Sequence, residues 1–306
     1  MSRIDEAWRQ VSGAGSHVVG IVARAPRLED RGESGLLDDY PQESGPPRVS
    51  SDTADRLPRR TGTVLRPAER APLARPGDFD KKLVVNESAA PIAVEQYRRL
   101  AGTLHDLQSE RGLKTLMVTS ALPNEGKTLT VANLALTLSE SCRDRVLLID
   151  ADLRRPSLHK LFRLSNANGL SDVLSSGRGD LPLIEITEHF SVLPAGHSDQ
   201  PMAGLTSDRM RAVLEQCAAT FDWVLLDAAP IGFMPDAQLL AHLTGAVLFV
   251  IEAQSTPHQL VTRAIAEIDP ECVIGSILNC VAEHAIPAAG YYYEYYATAR
   301  TAGSAR

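Results

Sequence analysis

Ala121-Leu122-Pro123-Asn124-Glu125-Gly126-Lys127-Thr128 is the stretch whose reading decides the fold. Before it lies an apolar run, Leu116-Met-Val-Thr119; after it, from Gly126 to Ser139, apolar residues recur at helical spacing. Glycine, lysine and a hydroxyl residue at a strand-to-helix junction are what a phosphate-binding loop needs. Backbone N–H groups in such a loop wrap the β- and γ-phosphates, and the helix start adds the positive end of its dipole. Lys127 would bridge those phosphates and the Thr128 hydroxyl would ligate Mg²⁺. Asn124, Glu125, Gly126, Lys127, Thr128 and Leu129 are therefore the candidate ATP contacts. Ala121 stands where the pattern usually opens with glycine.

Working outward, strands and helices alternate. The segment beginning at Ala93, AVEQYRRLAGTLHDLQ, reads as a helix with Val94, Tyr97, Leu100, Leu104 and Leu107 on one face. After the loop come strands at Val146–Ile149, Phe190–Leu193, Trp223–Leu226, Ala246–Ile251 and Val273–Leu278. Helices are expected at Arg209–Ala219, Ala237–Leu243 and Gln259–Ile268. Several of the strands are continuous apolar runs, the mark of burial on both faces. The expected fold class is α/β, a doubly wound and mostly parallel sheet of P-loop NTPase type.

Residues 1–80 read differently. They are rich in Pro, Arg, Ser, Asp and Gly, as in ESGPPRVSSDTADRLPRRTGTVLRPAERAPLARPGD, and hold no sustained period. Such a segment cannot bury enough apolar surface to offset the entropy of ordering it, so a disordered arm is expected. Ile4 to Val11 is a short helix candidate within it. Its arginines suit acidic headgroups or a partner, and a solvated linker is the simpler reading. The P-loop ATPase domain is expected over 81–285, and 286–306 forms a tail.

Two buried strands end in carboxylates: Val146-Leu-Leu-Ile-Asp150-Ala-Asp152 and Val224-Leu-Leu-Asp227-Ala-Ala-Pro230. C-terminal strand ends lie on the sheet edge where ligands bind. Asp227 has the position of a Walker-B aspartate that holds Mg²⁺. Asp150 and Asp152 form a second acidic pair, one for the metal and one to accept a proton from an attacking hydroxyl. Arg154 and Arg155 follow and suit phosphate oxygens, a neighbouring subunit or plain solvent. Asn279, at the last strand's end, suits either a purine edge or a structural hydrogen bond.

Composition narrows the rest. The 306 residues carry a formal charge of −7, which gives no reason to expect a nucleic-acid partner. The first residues lack a secretory pattern, the longest apolar run, 245–251, is far too short to span a bilayer, and Cys142, Cys217, Cys272 and Cys280 have no metal-ligand spacing. A cytoplasmic chain with reduced cysteines is the expectation. Near the end, Tyr291, Tyr292, Tyr293, Tyr295 and Tyr296 place five of the seven tyrosines within six residues. Flanked by Pro287-Ala-Ala-Gly290 and a polar terminus, the cluster reads as a flexible segment presenting phenolic hydroxyls.

Taken together, SALPNEGKT, LLIDADLRRP, LLDAAPI, VIEAQST, SILNCV and the tyrosine cluster resemble the bacterial tyrosine kinases of capsule and exopolysaccharide systems. The resemblance runs from about Ala93 to Tyr296. It implies Mg·ATP at Lys127 and Thr128, a catalytic set of Lys127, Asp150 and Asp152, and metal ligation by Thr128, Asp150 and Asp227. It also implies autophosphorylation at the five tail tyrosines. The same resemblance implies transfer between subunits of a homo-oligomeric ring, protein tyrosine substrates, and activation by the cytosolic segment of a membrane polysaccharide co-polymerase, which would recruit the chain to the inner membrane face. One feature departs from the pattern: Glu95 and Arg98 match the first two positions of a Glu-x-x-Arg-x-x-Arg contact motif, but Ala101 occupies the third. Arg99 points about 200° away from that position around a helix.

Two other functions fit the same motifs. A partition- or positioning-type ATPase switch shares the loop and acidic strand ends but usually carries a lysine early in the loop, where Leu122 stands here. A non-catalytic, nucleotide-dependent regulator of polysaccharide assembly would use the same groups for binding alone.

Overall fold

In the computed structural model of the chain the described residues are 18–23, 69–70, 83–84, 90–176, 180–197, 204–205, 208–233, 235–269 and 271–281. All of them fall in one compact unit, made of Met1–Ala25 with Leu65–Arg306; the second unit, Pro26–Val64, lies outside the described residues.

Among the described residues one nine-stranded sheet has the order β1-β9-β8-β3-β7-β4-β6-β5-β2. The strands are β1 (Val18–Ala23), β2 (Glu69–Arg70), β3 (Thr115–Ser120), β4 (Val146–Asp150), β5 (Ile184–Thr187), β6 (Phe190–Leu193), β7 (Trp223–Asp227), β8 (Ala246–Glu252) and β9 (Val273–Val281). Every neighbouring pair is parallel except β5 with β6. β3 is central, with β7 on one side and β8 on the other. Strand order therefore diverges at β3, and the loop leaving it opens at the point where doubly wound sheets bind ligands.

The helices are α1 (Pro91–Arg111), α2 (Lys127–Ser141), α3 (Leu158–Leu161), α4 (Leu170–Ser176), α5 (Asp208–Thr220), α6 (Pro235–Ala241) and α7 (His258–Ala266), with a 3₁₀ turn at Ile231–Phe233. They cover both faces of the sheet, which explains the continuous apolar strands. Leu116, Val118, Leu148, Leu225 and Leu248 pack with Tyr97, Leu104 and Leu134 of α1 and α2. Met117, Leu147, Ile149, Leu226 and Phe249 pack with Val213 of α5, Leu240 of α6 and Ile265 of α7. Successive residues of β3, β4, β7 and β8 thus enter opposite cores, and these four strands are apolar up to their ends.

α1 begins with proline at its first position and ends at Gly112, whose φ of 67° lets its N–H reach back to the Gln108 carbonyl at 2.8 Å. Its inner face is Tyr97, Leu100, Ala101, Leu104 and Leu107. Ala101 is buried among them, so this position has core packing in place of an arginine. Arg99 lies on the exposed side, its Nε 3.6 Å from Glu95 one turn earlier.

The predicted α/β architecture holds, with boundaries moved by one to three residues. The expectation of an arm without regular structure over 1–80 needs correction at two places. Val18–Ala23 pairs in parallel with β9 from Gly275 to Val281, and Glu69–Arg70 pairs with β5. A six-residue apolar strand surrounded by turn-forming sequence has too short a pattern to stand out by period alone. β5, α3 and α4, each seven residues or fewer, are also absent from the sequence reading for this reason. The helix expected at Ile4–Val11 and the tail over 286–306 lie outside the described residues.

Candidate active site at the phosphate loop

β3 delivers the chain into the loop, and α2 starts at Lys127 directly after Gly126. Two backbone positions in the loop are left-handed: Asn124 at φ 67° and Gly126 at φ 87°. At Gly126 a side chain is excluded twice over, because an added Cβ would also sit 2.1 Å from the Asn279 amide nitrogen. Thr130 is the first residue whose N–H bonds back into the helix, to the Gly126 carbonyl at 2.9 Å. The N–H groups of Lys127, Thr128 and Leu129 therefore belong to the open first turn of α2, directed to the loop's concave side. The Leu129 side chain packs against the core shared by α1 and α2, so its backbone is what it can offer a phosphate.

β4 and β7 are paired in register with Asp150 opposite Asp227. That register brings the acidic strand ends together beside the loop. Lys127 Nζ donates to Asp152 Oδ2 at 2.8 Å and lies 3.7 Å from Asp227 Oδ1. The Thr128 hydroxyl donates to Asp227 Oδ2 at 2.6 Å. Asp150 Oδ2 accepts the backbone N–H groups of Ser157 and Leu158, both at 3.0 Å, at the start of α3. Asp152 Oδ1 accepts the Arg155 N–H at 3.1 Å. Asp150 and Asp227 are fully buried and Asp152 is 4% exposed.

This cluster is electrostatically incomplete. Burial pushes the Asp150 carboxyl up to about 8, reinforced by Asp227 and opposed by the two N–H groups. Burial likewise pushes Asp227 up, against the pull of Lys127 and the Thr128 hydroxyl. For Lys127, burial acts to lower the ammonium, and the attraction of Asp227, Asp152 and Asp150 more than offsets it. One ammonium faces three carboxylates, and Asp150 Oδ1 and Asp227 Oδ1 are buried without a hydrogen-bond partner. Two buried carboxylate oxygens without a hydrogen bond, on acids that burial disfavours in the charged form until a cation joins them, fit a divalent cation. Among the described residues no three acidic, cysteine or histidine side chains form a ready cation cage.

The structure thus brings together Lys127, Thr128, Asp150, Asp152 and Asp227. Asn279 also reaches the loop, where its Nδ2 donates to the Glu125 carbonyl at 2.9 Å. Arg154 and Arg155 are exposed at the rim. The tyrosines from Tyr291 to Tyr296 lie outside the described residues. Sequence reading missed Ser157, whose hydroxyl donates to Thr128 Oγ1 at 3.1 Å. It also missed Thr256, which bonds the Glu125 carboxylate. Ser157 could have been found as the hydroxyl residue after Pro156 at a helix start; Thr256 carries no local signal, being far away in sequence.

No model of a known protein family matches the chain. Among curated proteins, the tyrosine-protein kinase YwqD of Bacillus subtilis is 34% identical over 191 residues, covering 60% of this chain and 80% of that protein. The succinoglycan biosynthesis transport protein ExoP of Rhizobium meliloti is 31% identical over 228 residues, which are 71% of this chain but 28% of that protein. Among solved structures, the kinase domain of the Escherichia coli tyrosine kinase ETK superposes with a TM-score of 0.62 at 29% identity, covering 72% of this chain and 92% of that domain. No helix among the described residues is long and apolar enough to cross a membrane. Phosphate loop, paired acidic strand ends and extent of likeness lead to one assignment: the chain belongs to the bacterial tyrosine-protein kinase family.

Proposed function

We propose that this chain transfers the γ-phosphoryl group of ATP to tyrosine hydroxyls, its own tail included, in the service of capsule or exopolysaccharide assembly. The observation that carries the reading is the convergence of Lys127, Thr128 and three buried aspartates on one loop, with two carboxylate oxygens that accept no hydrogen bond. The first-turn N–H groups of α2 hold the phosphates, and Lys127 exchanges Asp152 for the β- and γ-phosphate oxygens. Thr128, Asp227 and Asp150 supply protein ligands to Mg²⁺, which when bound neutralises charge on the phosphates. Asp152, released from Lys127, accepts the tyrosyl proton as the phenolic oxygen bonds to phosphorus and the bond to ADP breaks. Asp150, whose other oxygen is held by the Ser157 and Leu158 N–H groups, is given to the metal in this assignment.

Tyr291, Tyr292, Tyr293, Tyr295 and Tyr296 are the proposed acceptors. β9 runs parallel to β8, itself parallel to β3, so the chain leaves β9 on the loop side of the sheet. From Val281 an extended segment reaches at most about 35 Å by Tyr291, which suits a neighbour's site better than an in-line approach to its own. The partner implied is the cytosolic segment of a membrane polysaccharide co-polymerase, acting at the inner membrane face, with a homo-oligomer as the transferring unit. The test mixes Lys127→Met protein carrying its tail with active protein truncated after Gly290, in Mg·ATP. Phosphotyrosine on the inactive partner is expected. An unlabelled partner, while full-length active protein labels itself at a concentration-independent rate, would show transfer within one chain.

A further inference from the structure

A carboxylate inside a loop that must cradle polyphosphate is electrostatically adverse, yet Glu125 sits there, 2% exposed. Its side chain turns away from the concave side and back into the protein. Oε2 accepts the Leu122 N–H at 2.7 Å, which closes the loop on itself. Oε1 accepts the hydroxyl of Thr256 and, at 3.4 Å, the N–H of Glu252. Glu252 ends β8, and Thr256 stands just beyond the turn that follows. That turn is held by Ser255 and Thr256 N–H groups on the Glu252 carbonyl and contains Gln254 in the left-handed region at φ 61°. The other side of the loop is tied to β9: Asn279 Nδ2 donates to the Glu125 carbonyl, and the Asn279 carbonyl accepts the Ala253 N–H at 2.9 Å. Glu125 is thus bound through both its carboxylate and its carbonyl to the turn at 252–256, directly and by way of Asn279.

We propose that Glu125 and Thr256 form a latch of two positioning residues that holds the phosphate loop in its nucleotide-binding shape by fastening it to the turn after β8. The inference rests on the nucleotide-site reading above. The loop needs such a device because it opens with Ala121, has two left-handed residues, and projects N–H groups that repel one another until an anion arrives. Burial raises the Glu125 carboxyl, and the Thr256 hydroxyl is the largest opposing influence, so the two residues depend on each other. Neither touches the reacting atoms. Their effect falls on nucleotide affinity and on KM for ATP, with the turnover number of the saturated enzyme little changed.

The experiment titrates the full chain with Mg·ADP by calorimetry, and measures KM and kcat for ATP with Lys127→Met protein as tyrosine acceptor. Glu125→Ala is expected to weaken Mg·ADP roughly ten-fold or more, and Thr256→Val several-fold, by leaving buried hydrogen-bonding groups unpaired. Thr256→Ser keeps the hydroxyl and is expected to restore affinity to within about three-fold, whereas Glu125→Gln keeps one of the two acceptor oxygens and should fall between the parent and Glu125→Ala. The double variant Glu125→Ala/Thr256→Val should be no weaker than Glu125→Ala alone, since both remove one interaction. Additive losses, Ser as poor as Val at position 256, or lowered melting temperature with unchanged affinity would each overturn the latch. Should Glu125→Ala fail to fold, the comparison of Thr256→Val with Thr256→Ser decides. If the unsubstituted chain binds no Mg·ADP, the nucleotide-site reading falls and the latch with it. Binding that is the same in every variant overturns the latch alone.

Discussion

Gly126→Ala perturbs the site at one atom, and its magnitude can be worked from the structure. Gly126 has φ 87°, and its Cβ would stand 2.1 Å from Asn279 Nδ2. The left-handed backbone costs an alanine about 1–2 kcal/mol. Displacing Asn279 breaks its 2.9 Å bond to the Glu125 carbonyl, worth a further ~0.5–1.5 kcal/mol. The free loop can escape both penalties by relaxing, but nucleotide binding must restore the cradle, so the sum appears in affinity. Gly126→Ala should therefore weaken Mg·ADP about 10- to 300-fold while the melting temperature of the unliganded chain stays close to that of the parent. In an Asn279→Ala background the steric part disappears, and the same substitution should cost only about 5- to 30-fold. Calorimetric titration of the four proteins gives both numbers. Affinity within three-fold of the parent in Gly126→Ala, or an equal loss in both backgrounds, would refute the geometry argued for the loop.

Three further outcomes follow from other parts of the molecule. Lys127→Met should lower phosphoryl transfer about 10²–10³-fold by removing a preorganised donor to developing charge, measured as initial rate on an acceptor protein; a normal rate would dismiss the site. Removing residues 1–25 strips β1 from β9 and from its packing on α1. It should cost about 1–2 kcal/mol, or roughly 2–8 °C in melting temperature; no change would mean that the strand contributes nothing to stability. The hydrogen bonds from Arg145 hold the Asp222 carboxyl below its ordinary value. A depressed folded pKa gives stability that is present above the ordinary 3.8 and lost as pH falls through the folded value. With both partners well exposed, Asp222→Asn should cost under about 1 kcal/mol near neutrality and flatten the acid limb of a pH–stability curve below about pH 4.

Much of this arrangement was legible in the sequence because the sheet is covered on both faces. Val146 to Ile149, Trp223 to Leu226 and Ala246 to Ile251 are uninterrupted apolar runs, and each ends near a residue that has to face solvent or ligand. Lys127, Thr128, Asp150, Asp152 and Asp227 could be grouped because strand ends in a parallel sheet share one edge; the register of Asp150 opposite Asp227 completes the grouping in space. What was not legible depends on distance in sequence. Thr256 meets Glu125 across 131 positions, and no local pattern connects them. β1 escaped notice because five apolar residues and a glycine, set among Gly, Ser and Arg, carry no period, and only the open edge of β9 gives them a place. Ala101 shows the reverse case. As a departure from a motif it reads as a missing contact residue, while in the structure it is a core position between Tyr97 and Leu104.

The central claim is that the phosphoryl group goes to tyrosine and not to water. Purified chain in Mg·ATP should be followed for ADP by coupled assay and for phosphotyrosine by mass spectrometry of the peptide holding Tyr291 to Tyr296, with Lys127→Met as control. One phosphotyrosine is expected per ADP in the initial phase, both absent in the control. ADP accumulating with free phosphate and an unmodified tyrosine cluster would contradict the kinase reading and leave an ATPase switch in its place.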